Sequence, residues 1–398
     1  MNESVLSFKD KYFGDKNFYK MTLTIAIPII IQNLLTNLVS MADNIMVGQL
    51  GTNQMSGVAI INQLFFVFNL LVFGGMSGAG LFSAQYFGQK NHNGVRNVFR
   101  MKILIGITII AISISVMIFL HEPLINMFLH EGSSSGNIQE TFNYAKNYLY
   151  IMVIGIAPFV ISNCYNTTLK ESGQTVVPMK AGVLAVVFDI VLNYIFIFGK
   201  LGFPAMGVVG AAIATVISRF VECGYLVIYT HIHSNDYPFI KHCYRTLKVP
   251  GSLVKKIIVT GAPLMLNEFL WAGGLTLQTQ ALSTKGLATV GGLNICNTIG
   301  NISNCIFVTM GTTIAIVVGQ LLGAGKLKEA KVTATRMAAF SLLISFGMII
   351  ILGLLGPVFP HFYNTTDEIR ELATKFIWAV AAATPFISLS NSEYFILR

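Results

Sequence analysis

The chain has 398 residues, of which 54% are hydrophobic and only 11% charged. A soluble domain carries about 25% charged residues, so this chain has too few charges to cover a soluble surface and too much apolar area to stay disordered. The net charge of +9 then points to the basic cytoplasmic loops of a polytopic helical membrane protein rather than to nucleic acid, because no basic-aromatic patch exists outside those loops.

The N-terminus is polar as far as Lys20 and has no signal-peptide apolar core. From there, apolar stretches long enough to cross ~30 Å of hydrocarbon recur along the chain. Ten spans are predicted, at 21–48, 56–87, 99–121, 141–168, 177–199, 205–230, 252–283, 289–322, 332–356 and 372–397. The alternating pattern of β-barrel strands is absent from the sequence, which gives an all-α polytopic membrane protein.

The first span carries Pro28, Gln32 and Asp43. Proline removes a backbone hydrogen bond, so Pro28 predicts either a static kink or a bend that moves in function. The second span holds Asn62 and the small-residue pair Gly74-x-x-x-Gly78, which suits close helix contact. The fifth holds Asp189 and Asn193, four apart and so on one face. The sixth holds Thr215 at mid-depth, then Arg219 and Glu222, which are three apart and near enough for a local pair. The seventh holds Pro263, Glu268 and Trp271, the eighth Asn297, and the tenth Glu393. Gln32, Asn62, Asn297 and Trp271 are candidates to line a cleft, together with Phe65, Phe66, Tyr148 and Phe159, which could receive organic cations.

Ionisable groups inside a bilayer are costly and usually functional. With the Lys and Arg near the span ends assigned to the flanking polar segments, five acids, Asp43, Asp189, Glu222, Glu268 and Glu393, stand within the spans against a single base, Arg219. A carboxylate with no base beside it either takes a proton or holds a cation. Asp43, Asp189, Asn193 and Thr215 offer oxygens that suit a hard cation such as Na+, and the same set could relay H+. Either way the coupling ion is the only cofactor expected. Glu268 is a second candidate, and Glu393 fits a side chain reaching the inner interface.

Lys and Arg fix the orientation. With the N-terminus inside, 21 of the 26 basic residues fall on the cytoplasmic side and five outside. This is a strong positive-inside signal and places the protein in the plasma membrane with a cytoplasmic N-terminus. The five cysteines lie far apart without a CxxC, so neither a disulfide framework nor zinc is implied. His231-x-His233 lacks a third ligand. No Walker motif, GxSxG or paired catalytic carboxylates stand in a soluble segment, which disfavours ATP-driven transport and an enzyme.

The chain also repeats itself. A shift of 235 positions pairs Pro28 with Pro263, Gly51 with Gly286, Gly57 with Gly292, Asn62 with Asn297, Gln85 with Gln320 and Gly88 with Gly323, without a gap. A six-span unit returns the chain to the same side, so the copies are parallel repeats. The expected domains are an N-lobe at 1–235, a cytoplasmic linker at 236–251 and an incomplete C-lobe at 252–398. The second copy holds four spans, and the repeat length predicts ~75 further residues, so ten helices are present of an expected twelve.

Four motifs, in order, resemble the multidrug and toxic compound extrusion (MATE) family of secondary antiporters over residues 20–398. They are Pro28-Ile-Ile-Ile-Gln32 with Asp43 and Val47-Gly48-Gln49-Leu50-Gly51; Gly78-Ala79-Gly80 running to Gln85-Tyr86-Phe87-Gly88; Phe203-Pro204-Ala-Met-Gly207-Val-Val-Gly210-Ala211-Ala212-Ile-Ala-Thr215; and Pro263-Leu-Met-Leu-Asn267-Glu268. The resemblance implies two six-helix lobes around a cleft that opens alternately to each side. It implies export of an organic, cationic or amphiphilic solute, driven by inward H+ or Na+, by a monomer whose partners are the bilayer and a small molecule. Asp43 and Thr215 match acidic and hydroxyl positions of the family's N-lobe site. The helix 5 pair matches a position where many members carry Asn first and Asp four residues later, whereas here Asp189 comes before Asn193. The rival expectations are a flippase for lipid-linked saccharides, from the related superfamily, and a non-transporting fragment.

Overall fold

The computed structural model describes residues 8–129, 137–283, 287–363 and 365–397. Among the described residues the chain is helical and no strand occurs. The helices are α1 (Phe8–Tyr12), α2 (Lys16–Gly48), α3 (Thr52–Gly88), α4 (His92–Phe119), α5 (His121–Asn126), α6 (Ile138–Ile154), α7 (Ile156–Glu171), α8 (Val176–Phe198), α9 (Val208–Ile232), α10 (Gly251–Ser283), α11 (Leu287–Gly323), α12 (Leu327–Leu355) and α13 (Asp367–Leu397).

Among the described residues, eight helices are long and apolar enough to cross a membrane: Phe8–Gly48 taken together, α3, α4, α8, α9, the Gly291–Gly323 part of α11, α12 and α13. The predicted fourth span is broken rather than straight. Its halves, α6 and α7, meet at Gly155 with a bend of 47°, and they make a ninth crossing if they form one span. The predicted seventh span is α10. Its 33 residues are long enough, but it is not among the helices apolar enough for a crossing, and it carries Lys255, Lys256, Asn267 and Glu268. The ten predicted spans therefore correspond to these eight helices, the bent α6–α7 pair and α10.

Local chemistry sets several helix ends. The Asn91 side chain accepts from Gly94 N at 2.9 Å to start α4, and Asn137 accepts from Gln139 and Glu140 to start α6. These caps satisfy amides that have no partner in the first turn. Between α8 and α9 the chain reverses through Gly199, Gly202 and Gly207, all at positive φ, where L side chains are strained. Met206 N and Gly207 N then bond back to Phe196 O and Ile197 O at 2.8 and 3.3 Å. A Cβ on Gly210 would lie 2.7 Å from the Phe196 carbonyl, so glycine there lets α9 lie directly on α8.

The chain forms two compact units. One comprises 1–30, 84–90 and 267–398, the other 31–83 and 91–266. The boundaries inside α2 and α10 fall two and three residues past Pro28 and Pro263. In the first unit, Phe18, Ile25 and Ile29 of α2 pack with Ile314, Val317 and Val318 of α11 and with Ala330, Ala334 and Met337 of α12. A second core joins Cys296, Ile299, Phe307, Met348, Leu352, Ile377 and Ala381.

The repeat shows in how helices cross. A Cβ on Gly88 would fall on the Gln320 carbonyl, and one on Gly323 would fall on the Gln85 carbonyl. A shift of 235 exchanges these two contacts, so the inner ends of α3 and α11 meet as an isologous pair. In the other unit, α10 crosses α3 by the same logic. Gly78 approaches the Gly261 backbone, and Gly74 packs on Met265.

The segment predicted as a linker is pinned to the second unit. Arg96 of α4 donates to Phe239 O and Pro238 O at 3.3 and 3.2 Å, and Arg100 donates to Cys243 O and His242 O at 2.8 and 3.0 Å. Phe239 and Cys243 are buried beneath these forks.

Candidate coupling-ion site

The α8–α9 hairpin and the outer half of α2 bring the predicted cluster together within the second unit. Asn193 Nδ2 donates to Asp43 Oδ1 at 2.7 Å and to Asp189 Oδ2 at 3.0 Å. The two carboxylates are therefore bridged by one amide. Thr215 is within reach of Asp189. Ser218, which sequence reasoning passed over, donates to Asp189 Oδ1 at 3.0 Å and also bonds Ala214 O one turn back. Its signal was present in the spacing, since Ser218 lies three residues beyond Thr215 and so on the same helix face.

Asp189, Asn193 and Ser218 are buried, and Asp43 and Thr215 half-buried. The Asn193 Oδ1 oxygen is buried with no hydrogen-bond donor among the described residues. An orphaned amide oxygen beside two carboxylates is a ready ligand for a cation or its water. Two carboxylates bridged by one amide, one buried and one half-buried, cannot both stay ionised without compensation. The cluster therefore has the chemistry to take up and release a monovalent cation.

The other candidates are distributed as follows. Gln32 is buried against Gly182 of α8, with its Oε1 unsatisfied among the described residues. Asn62 and Asn297 are both exposed, at corresponding positions of α3 and α11, and Trp271 is 51% exposed. Phe65 and Tyr148 are buried inside the second unit. Glu268, in the first unit, accepts from the Tyr394 hydroxyl at 2.9 Å, and Glu393 is exposed. Pro28 and Pro263 both lie inside continuous helices, the first buried and the second exposed. The two histidines of His231-x-His233 bond the carbonyls of Val227 and Tyr229 one turn back and stack on Tyr244 and Tyr229.

Two expectations need correction. Arg219 makes no ion pair with Glu222 among the described residues. Its guanidinium lies over Phe65 and Phe159, 5.3 and 5.0 Å from the ring centroids, and reaches Gly155 O at 3.4 Å. It is also not the only base within a span. Lys102 of α4, assigned to the inner polar segments from sequence, is fully buried. Its Nζ bonds Glu171 Oε2 and Oε1 at 2.6 and 2.8 Å, and Thr167 and Thr168 at 2.9 and 3.2 Å. An apolar-window reading misses such a base because its partners come from α7, far along the chain.

The MatE family model matches residues 28–195 and 263–398, the greater part of the chain and both copies of the repeat. The chain belongs to the MatE family. It is 26% identical over 379 residues to a probable multidrug resistance protein NorM of Thermotoga maritima, spanning 95% of this chain and 79% of that one. It is 26% identical over 367 residues to the protein of the same name in Halalkalibacterium halodurans, covering 90% and 76%. Among solved structures, an outward-facing multidrug resistance MATE family transporter superposes with a TM-score of 0.79 at 21% identity, covering 96% of this chain and 85% of that chain. The bent form of the Vibrio cholerae MATE transporter VcmN gives 0.80 at 16% identity, covering 94% and 84%. This MatE protein is an integral membrane protein with the all-helical fold of those transporters.

Proposed function

We propose that this MatE protein is a secondary active exporter of organic cationic or amphiphilic solutes, working by antiport against H+ or Na+ across the plasma membrane with its N-terminus in the cytoplasm. The observation that carries the reading is the cluster of Asp43, Asp189, Asn193, Thr215 and Ser218, where one amide bridges two carboxylates beside an unsatisfied oxygen. A group of this kind stores one state with the cation bound and another without it. Only a differential affinity for the cation between two packings can drive a conformational cycle. Asp43 and Asp189 stand on different helices, so the distance between α2 and α8 depends on the charge between them. Inward cation flow would bring these helices together or release them, and the backbone hydrogen bonds that Pro28 and Pro263 cannot make would give α2 and α10 their freedom to follow. The names of the NorM relatives support a broad range of drug-like substrates.

The test is transport by the purified chain in proteoliposomes, with ethidium as the probe and a proton or sodium gradient imposed separately. Ethidium export driven by one gradient and lost in Asp43→Asn, with the variant still monodisperse, is the expected result. A folded Asp43→Asn protein that exports as well as the parent would overturn the role of the cluster.

A further inference from the structure

Arg219 stands midway along α9, one of the helices long and apolar enough to cross a membrane. A charge at that depth is costly and faces a bundle interior or a watery cavity rather than lipid. Its guanidinium lies over the Phe65 and Phe159 rings, 5.3 and 5.0 Å from their centroids. Phe68 packs against both rings at centroid distances of 5.8 and 5.7 Å and holds them in place. The aromatic pair that the sequence offers to an organic cation is therefore already occupied by the chain's own cation.

A guanidinium has two flat faces and an edge of five N–H donors. Here the rings lie against the faces, and the edge is left for acceptors. Nη1 reaches Gly155 O at 3.4 Å, which is long for an N–H···O bond. A Cβ on Gly155 would lie 3.1 Å from Arg219 Cδ and 3.2 Å from Nη1, so glycine at the α6–α7 bend makes room for the group. Among the described residues, Nε and Nη2 make no hydrogen bond and the guanidinium makes no ion pair. Neither atom is sealed in the way that Asn193 Oδ1 is. Nε and Nη2 together are one side of the fork that binds a carboxylate through two parallel hydrogen bonds. Tyr148 lies seven residues before Gly155, on the same face of α6. It is buried, and its hydroxyl likewise makes no hydrogen bond among the described residues, although a buried tyrosine hydroxyl normally has a partner. Two donors from facing helices are thus left without acceptors.

We propose that the Nε–Nη2 edge of Arg219 is a subsite for the carboxylate of a zwitterionic amphiphilic solute. A solute with positive charge alone is repelled by this group, whereas one that also bears a carboxylate is held by it. The proposal rests on the exporter reading for what is moved across the membrane, but capture of the carboxylate is a property of the site alone.

Rhodamine 110 carries a free carboxylate, and rhodamine 123 is its methyl ester and otherwise the same molecule. Fluorescence anisotropy with the detergent-purified full-length protein, corrected for binding to empty micelles, gives the affinity for each dye. The parent should bind rhodamine 110 about tenfold or more tightly than rhodamine 123, the size of effect that charge-assisted hydrogen bonds supply. Arg219→Gln should abolish that preference. Arg219→Lys keeps the charge without the fork and should retain only part of it. Equal affinity of the parent for the two dyes would overturn the proposal with no variant needed. An Arg219→Gln protein that binds both dyes more weakly yet keeps the preference would overturn it too, because a purely structural cation acts in that way. Should Arg219→Gln not fold, an Arg219→Lys protein with the parent's full preference would have the same force. In proteoliposomes the parent should export rhodamine 110. If no gradient moves either dye or ethidium, the exporter reading fails while the ratio of affinities still decides the role of Arg219.

Discussion

A lysine ammonium with no solvent exposure survives only if its charge and all its protons are met. Lys102 achieves this with both Glu171 oxygens and two threonine hydroxyls. Breaking such a pair on one side leaves an uncompensated buried charge and costs about 3–5 kcal/mol, whereas replacing both partners by apolar groups is often neutral. Lys102→Met should therefore lower the unfolding midpoint of the detergent-purified protein strongly, and Lys102→Met with Glu171→Met should recover most of it. Thermal unfolding followed by size-exclusion chromatography would show this, and a double variant no better than the single would refute the pairing argument. At this scale the sequence was informative where residues share a helix and silent where they do not. Asp189 and Asn193 are four apart, and their common face was readable. That Asn193 reaches Asp43 across 150 residues, or that Lys102 finds Glu171, depends on packing that no local period encodes.

Elements fix whether those side chains meet at all. The Asp189 cluster exists because α8 and α9 touch along Gly210, where the Phe196 carbonyl occupies the space of a β-carbon. The motif running from Phe203 to Thr215 is thus a tight hairpin with three positive-φ glycines and a glycine contact, followed by the residues that bind Asp189. Gly210→Val should push the helices apart and cost about 1–3 kcal/mol as overpacking does, and it should abolish ethidium transport because Thr215 and Ser218 would move off Asp189. Gly224, on the same helix, has no atom within 4 Å of its would-be Cβ, so Gly224→Ala should leave both properties intact. Equal effects of the two substitutions on stability and transport would remove the hairpin from the account. The bend at Gly155 was less legible, because Gly155 and Pro158 interrupt a stretch whose apolarity alone reads as one straight helix.

For the molecule as a whole, the strongest sequence signals were those that sum over many residues. The excess of apolar residues, the 21-to-5 division of basic side chains and the register of 235 each survive errors at single positions, and the reciprocal Gly88–Gln320 and Gly323–Gln85 contacts follow the same register. Charge asymmetry also makes the topology testable where apolarity is ambiguous, at the bent α6–α7 pair and at α10. If both cross the membrane, positions 200 and 367 face outward and positions 235 and 326 face the cytoplasm. If α10 does not cross, 326 and 367 exchange sides while 200 and 235 keep theirs; if α6–α7 turns back, all four positions invert. Single cysteines can replace Lys200, Asn235, Lys326 and Asp367, all exposed, in a background with Cys223 and Cys305 changed to alanine, since Cys164, Cys243 and Cys296 are buried. Burial also holds the Cys243 thiol above its ordinary pKa, so it should stay unreactive as long as Arg96 and Arg100 hold the segment down. A membrane-impermeant maleimide applied to intact cells should label Lys200→Cys and Asp367→Cys at once, and should label Asn235→Cys and Lys326→Cys only after permeabilisation. Labelling of Lys326→Cys without Asn235→Cys in intact cells would show that α10 stays on one side, and labelling of Asn235→Cys there would show that the helices around Gly155 turn back.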